Sequence, residues 1–158
     1  SLTKQKNLGI AALEPGMSLV GFLDDDLVLE DEALAAMVGF WAQASPGLGG
    51  AAITDVGLRP RRGVWFKRLF ALDGAEDGRI LRSGHNTSVR PQARGYAAQW
   101  LPGGATVWRR EVVEAFRFDE WFTGYSYLED VDYSLSVGCH YGLMVVPQAR
   151  VRHEPIPM

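Results

Sequence analysis

The sequence predicts an α/β fold in which a largely parallel sheet is flanked by helices, and three consecutive segments carry that expectation. An almost wholly apolar run over 18–23 stops abruptly at Asp24-Asp25-Asp26. A helix-patterned stretch over 30–44 follows, and residues 48–54 form a second strand-like run. Strand, acidic tip, helix and strand in that order make the repeating unit of a parallel sheet. In open sheets of this kind ligands collect beyond the carboxyl ends of the strands, which is where the three acids fall.

Each element has its own reason. Residues 2–13 have a helical pattern stopped by Pro15-Gly16, a breaker pair. Ser1 leads straight into that helix, so the expectation is an N-terminally truncated domain, with an apolar strand, a polar turn and a helix upstream. The run 18–23 lacks alternation, as expected of a strand covered on both faces. Within 30–44, Leu34, Met37, Val38 and Trp41 fall at i, i+3, i+4 and i+7, a stripe directed at the core. Glu30, Asp31 and Glu32 occupy the first turn, where the helix dipole favours negative charge, and Pro46-Gly47 closes the segment. Residues 55–95 are irregular and rich in Gly and Arg, with a short helix around 65–72; such a loop on a rigid scaffold is expected to shape binding specificity. Residues 100–102 and 105–108 form strand pieces on either side of Gly103-Gly104, and 109–116 a short helix. A stronger helix covers 128–141, where Leu128, Val131, Leu135 and Cys139 share a face and leave Glu129, Asp130 and Asp132 off that stripe. Residues 142–146 and 150–153 are closing strands, and no repeat, linker or low-complexity tract interrupts a single domain over 1–158.

Bulk properties narrow the function. A net charge of −3 argues against a general nucleic-acid binder, which needs a basic face to neutralise phosphates. Arg59, Arg61, Arg62, Lys67 and Arg68 are locally basic but read as a solvated loop. A single cysteine, Cys139, excludes an internal disulfide and reads as a small core residue in a reducing compartment. No apolar run approaches the ~18–20 residues that cross a bilayer, and no leader is evident; the lone cysteine makes the expected location cytoplasmic.

Three adjacent carboxylates repel one another: at an effective dielectric of about 20, a like-charged pair ~4 Å apart costs about 4 kcal/mol. Two readings follow. Either a hard cation such as magnesium, manganese or calcium relieves the repulsion, or the acids simply begin the next helix. Alternation along an extended chain sends Asp24 and Asp26 to one side and Asp25 to the other. A calcium-binding EF-hand loop is excluded, because Val28 and Leu29 stand where it requires a fifth-position ligand and a sixth-position glycine. A second acidic group, Glu129-Asp130-Val131-Asp132, lies about a hundred residues on, and alone it would be an ordinary helix start.

Taken together, Lys4-Gln5-Lys6-Asn7-Leu8-Gly9, Phe22-Leu23-Asp24-Asp25-Asp26, Trp100-Leu101-Pro102-Gly103-Gly104, Phe118-Asp119-Glu120, Leu128-Glu129-Asp130-Val131-Asp132 and His153-Glu154 resemble a family 2 glycosyltransferase, in order and rough spacing, over nearly the whole chain. The resemblance implies a GT-A-like (Rossmann-like), mostly parallel sheet flanked by helices, of which this chain is the carboxy-terminal two-thirds. It implies that Asp24 and Asp26 form the family's DxD, which holds Mg2+ or Mn2+ and touches the donor ribose, with Asp25 beside them. His153 falls where some members supply a further metal or diphosphate contact, although a histidine near a strand end is often structural. Lys6 and Asn7 match the segment lining the nucleotide pocket, the alternative for Lys6 being a helix-surface lysine. Asp130 matches the usual general base and Glu129 its neighbour in the ED pair. Trp100, Gly103 and Gly104 match the segment facing donor sugar and acceptor, with core packing as the alternative for Trp100.

The implied activity is inverting transfer of a sugar from a nucleotide-diphosphate sugar donor to a saccharide or lipid-linked hydroxyl acceptor, in surface polysaccharide or glycolipid synthesis at the inner membrane face. The missing first strand and helix would carry much of the base pocket, and the sheet edge they leave could drive self-association. Two other classes compete. A nucleotidyltransferase making activated sugars also uses metal-binding acids, and a fragment without turnover could act as a binding or assembly module.

Overall fold

The computed structural model describes residues 1–58 and 65–154. The chain runs α1 (Leu2–Ala11), β1 (Leu19–Leu23), β2 (Leu27–Leu29), α2 (Ala33–Ala42), β3 (Leu48–Asp55), α3 (Trp65–Leu69), β4 (Tyr96–Ala97), β5 (Ala105–Arg109), α4 (Arg110–Ala115), α5 (Glu129–Gly138) and β6 (Gly142–His153). Arg59, Arg61 and Arg62 of the basic stretch lie outside the described residues; Lys67 and Arg68 are exposed on α3.

The sheet corrects the expected fold class. Its strand order is β1-β5-β3-β6-β2, with β4 also on β6. Among the described residues β1–β5, β3–β5, β2–β6 and β4–β6 are antiparallel, and only β3–β6 is parallel. The end strands of this path, β1 and β2, are consecutive in the chain, so the sheet is nearly closed and barrel-like rather than an open, mostly parallel, Rossmann-like layer. The physical reason is local. The segment after the acids does not enter a helix; Leu27–Leu29 returns as a strand and pairs with the far end of β6. What looked like a parallel unit, β1 and β3 around a helix, is split by β5, antiparallel to both.

Alternation along the central strand sorts the core. Ala52 of β3 faces a cluster containing Val20, Trp108, Val112, Tyr133, Val137 and Val145. Its neighbours Ala51 and Ile53 face Met37, Trp41, Val146 and Val151 on the other side. Strand β3 is therefore covered on both faces. Strand β1, expected to be covered likewise, ends the path and leaves Gly21 and Leu23 exposed.

Two helical stripes also turn out rotated. In α2 the buried residues are Ala33, Met37 and Trp41, whereas Leu34 and Val38 are exposed; Glu30, Asp31 and Glu32 precede the helix instead of forming its first turn. In α5 the buried face is Glu129, Val131, Tyr133, Ser134 and Val137, with Leu128 and Leu135 exposed. Cys139 is exposed, not a core residue. The closing strands are one continuous strand, β6. Among the described residues no helix is long and apolar enough to cross a membrane.

Candidate active site

The Gly103-Gly104 turn organises the site. Asp24, at the end of β1, donates its N–H to Gly104 O at 2.9 Å, which brings the first acidic group against this turn. The turn's other face receives the start of α5: the Gly103 N–H donates to Asp130 Oδ2 at 3.2 Å. Both positions require glycine because of close approach. A Cβ on Gly104 would lie 1.8 Å from Asp24 Oδ2, and one on Gly103 would lie 2.7 Å from Glu129 Oε1 and 2.9 Å from Lys6 Nζ. Two carboxylate groups a hundred residues apart in sequence thus share one wall.

That wall bounds a cavity of about 730 Å³. Asp24, Asp25, Asp26, Glu129 and Asp130 all line it, and among the described residues its lining includes no Lys or Arg side chain. A second recess of about 350 Å³ adjoins it across Asp24, Asn86, Trp100, Gly103 and Gly104, and is bounded at its far end by Asp55 and His153. The expected division of the acidic triplet, with Asp25 turned away, does not hold: Asp25 borders the same cavity, because the chain leaves the extended conformation between β1 and β2.

Asp26 and His153 face each other, with Nε2 2.7 Å from Oδ2. The turn holding them is fixed by backbone bonding, since Glu154 N donates to Asp26 O at 2.9 Å. Among the described residues no three His, Cys, Asp or Glu side chains converge on one point. Asp24, Asp26 and His153 lie along one rim, and carboxylate oxygens are the donors that magnesium or manganese would take. Such ions keep few protein ligands and take the remainder from water and phosphate.

Asp130 is half-buried. Its Oδ1 accepts the Val131 N–H at 2.9 Å and its Oδ2 the Gly103 N–H, which leaves lone pairs on both oxygens for a further donor. Burial raises its pKa above the usual carboxylate value, and the two backbone N–H groups partly oppose that rise. Glu129 is 5% exposed and its pKa is also raised, by burial first, while its bond with Lys6 pulls the other way.

Lys6 departs from both readings of the sequence: it neither lines the cavity nor sits on the helix surface. It is buried, donates to Glu129 Oε1 at 2.8 Å and to Gly103 O at 3.0 Å, and lies 4.9 Å from the centre of the Phe118 ring. It is the strut beneath the glycine turn. Asn7 likewise does not reach the cavity. Its amide brackets the Phe118-Asp119-Glu120 segment, donating to Phe118 O at 2.9 Å and accepting from Phe118 N at 3.0 Å. Helix position explains both, since α1 buries Thr3, Lys6 and Ile10 along one side. Trp100 is a packed residue with its indole N–H bonded to Thr87 O at 2.9 Å, and it also borders the cavity.

The residues 121–127 were not singled out by sequence, yet Tyr125, Ser126 and Tyr127 line the same cavity. A signal existed in the aromatic-rich tract Trp121-Phe122-Thr123-Gly124-Tyr125-Ser126-Tyr127 between two acidic motifs. Asn86 also borders both recesses, and nothing in its irregular neighbourhood marked it.

The arrangement is an acidic cleft, with Glu129 and Asp130 on one side and Asp24, Asp25 and Asp26 on the other. No protein-family model and no curated protein matches the chain, so that chemistry rests on its own residues.

Proposed function

We propose that this chain catalyses divalent-cation-dependent transfer of a sugar from a nucleotide-diphosphate sugar to a hydroxyl acceptor, as a family 2-type glycosyltransferase. The observation that supports this reading is the cavity wall itself: among the described residues it carries five carboxylates and no Lys or Arg side chain. A diphosphate enters such a cleft only with a counter-charge, and Asp24, Asp26 and His153 supply donors for Mg2+ or Mn2+. When bound, that ion offsets the negative charge that develops on the departing diphosphate.

The chain's own residues do the remainder. Asp130 accepts the proton of the acceptor hydroxyl as that oxygen attacks the anomeric carbon and the bond to the diphosphate breaks. Its raised pKa makes it a stronger base than an exposed aspartate. Gly103 N–H holds Oδ2, and Lys6 holds Gly103 and Glu129, so the base is fixed before substrate arrives. One displacement without a covalent intermediate inverts the anomeric centre. Cytosolic pools of activated sugars make the cytoplasm, or the inner membrane face, the matching location.

The test is release of nucleoside diphosphate from a panel of nucleotide sugars with manganese. Asp130→Asn is expected to lower kcat by at least about a hundredfold while leaving donor KM within about threefold. Pyrophosphate release from a nucleoside triphosphate and a sugar phosphate would instead identify a nucleotidyltransferase. Saccharide binding without metal-dependent nucleotide binding would leave a binding module.

A further inference from the structure

The segment between Phe118 and α5 is built to display aromatic rings, not to bury them. Trp121 is 80% exposed, Tyr125 91% and Tyr127 75%. These rings stand on a pinned backbone. Thr3 Oγ1 donates to Phe122 O at 3.2 Å, Ser126 Oγ donates to the same carbonyl at 3.1 Å, and Trp121 N donates to Asp119 Oδ1 at 2.8 Å. Ser126 and Leu128 hold positive φ values of 56° and 69°, which side-chain-bearing residues adopt at a cost of about 1 kcal/mol or more each. A surface turn that accepts such strain and holds three large rings in water is pre-organised for a ligand.

A shallow groove bordered by Trp121, Phe122, Thr123, Ser126 and Tyr127 runs along this turn. It shares Ser126 and Tyr127 with the wall of the catalytic cavity, so a ligand in the groove continues into the cleft beside Asp130. Charge selects the ligand. Residues 118–132 carry Asp119, Glu120, Glu129, Asp130 and Asp132 and no Lys or Arg, which opposes a phosphorylated or anionic partner. Flat aromatic faces beside acceptor carboxylates suit a neutral chain of hexose rings, whose C–H faces stack on the aromatics while their hydroxyls reach the acids.

We propose that Trp121, Tyr125 and Tyr127 form an acceptor subsite for a neutral oligosaccharide of two or more sugar units, its terminal hydroxyl directed at Asp130. This deepens the glycosyl-transfer reading and rests on it for the direction of the chain, but the binding itself can be measured without turnover.

The experiment titrates the whole chain with neutral gluco-, xylo- and chito-oligosaccharides of one to six units, read by calorimetry and by the Trp121 indole N–H resonance. Affinity is expected to rise with length from one to at least three units. Trp121→Ala and Tyr125→Ala are each expected to weaken it about tenfold or more, with the melting temperature unchanged because both rings are exposed. Vesicles of phosphatidylcholine, alone or with phosphatidylglycerol, form the second arm. Vesicle binding that depends on Trp121 and Tyr125, without saccharide binding, would overturn the proposal in favour of a membrane contact. Metal-dependent donor cleavage with no length-dependent saccharide binding would overturn the subsite and leave the catalytic reading intact. Length-dependent binding in a protein that cleaves no donor would support the subsite and remove the catalytic reading.

Discussion

At the scale of single residues, two positions decide whether the cleft works. Gly104 has no room for a methyl group, because Asp24 Oδ2 occupies the space where it would stand. Gly104→Ala must push the Asp24 carboxylate off the rim, at a cost of about 1–3 kcal/mol in overpacking. Urea unfolding is expected to show that loss, and calorimetry a weakening of at least about tenfold in manganese-dependent binding of nucleoside diphosphate. Unchanged binding would show that Asp24 is no cation ligand. Asp130 makes a prediction through pH. Its pKa is raised by burial above 3.8, so the native state binds its proton more tightly than the unfolded chain does. The stability this group contributes is full below pH 3.8 and is lost as pH rises through the native value. Glu129 acts in the same sense from 4.5. Asp130→Asn has no such proton to lose, so its stability relative to the natural chain is expected to grow as pH rises above 3.8, as urea midpoints would show. A difference independent of pH would contradict the burial of this carboxyl group.

At the scale of elements, helix α2 shows what periodicity can and cannot deliver. The 3.6-residue repeat identified a helix, and Met37 and Trp41 are indeed buried. The repeat could not choose between two overlapping stripes, Leu34-Met37-Val38-Trp41 and Ala33-Met37-Trp41. A small residue wins at 33 because the helix lies close on β6. The two faces predict different outcomes. Val38→Lys is expected to change stability by less than about 0.5 kcal/mol, as for any exposed site. Met37→Ala is expected to cost about 2–5 kcal/mol, as for any truncation in a packed core. Thermal unfolding of the pair checks the assignment, and a large loss from Val38→Lys would restore the first stripe. In α5 the same ambiguity recurs: the stripe Leu128-Val131-Leu135-Cys139 left Glu129 outside it, whereas Glu129 is on the buried face. The partner that allows its burial, Lys6, stands 123 positions away, beyond the reach of any local pattern.

At the scale of the whole molecule, what local sequence could not convey was pairing. Short apolar runs and turn residues located β1, β3, β5 and β6, but a short strand after an acidic triplet resembles a helix start, and β2 was lost for that reason. Losing it hid the near-closure of the sheet, in which the path begins at β1 and ends at β2. The candidate site was more legible than the fold, since carboxylates and glycines carry their constraints in their own chemistry. Near-closure gives the proposed cation a structural consequence. Asp24 follows β1, Asp26 precedes β2, and His153 ends β6, paired with Leu27. An ion bound at the proposed rim, sharing these carboxylates with a nucleoside diphosphate, would tie both ends of the strand path together there. The native state alone presents that rim, so ligation must raise stability by linkage, by about 2.7 kcal/mol at roughly a hundred times Kd. Manganese and nucleoside diphosphate together are expected to raise Tm by on the order of 5–10 °C, more than the sum of either alone. Chelation should reverse the shift, and Asp26→Asn or His153→Ala should abolish it. A shift from nucleotide alone that survives both substitutions would mean that the diphosphate is held without a cation, and the acidic rim would then need another purpose.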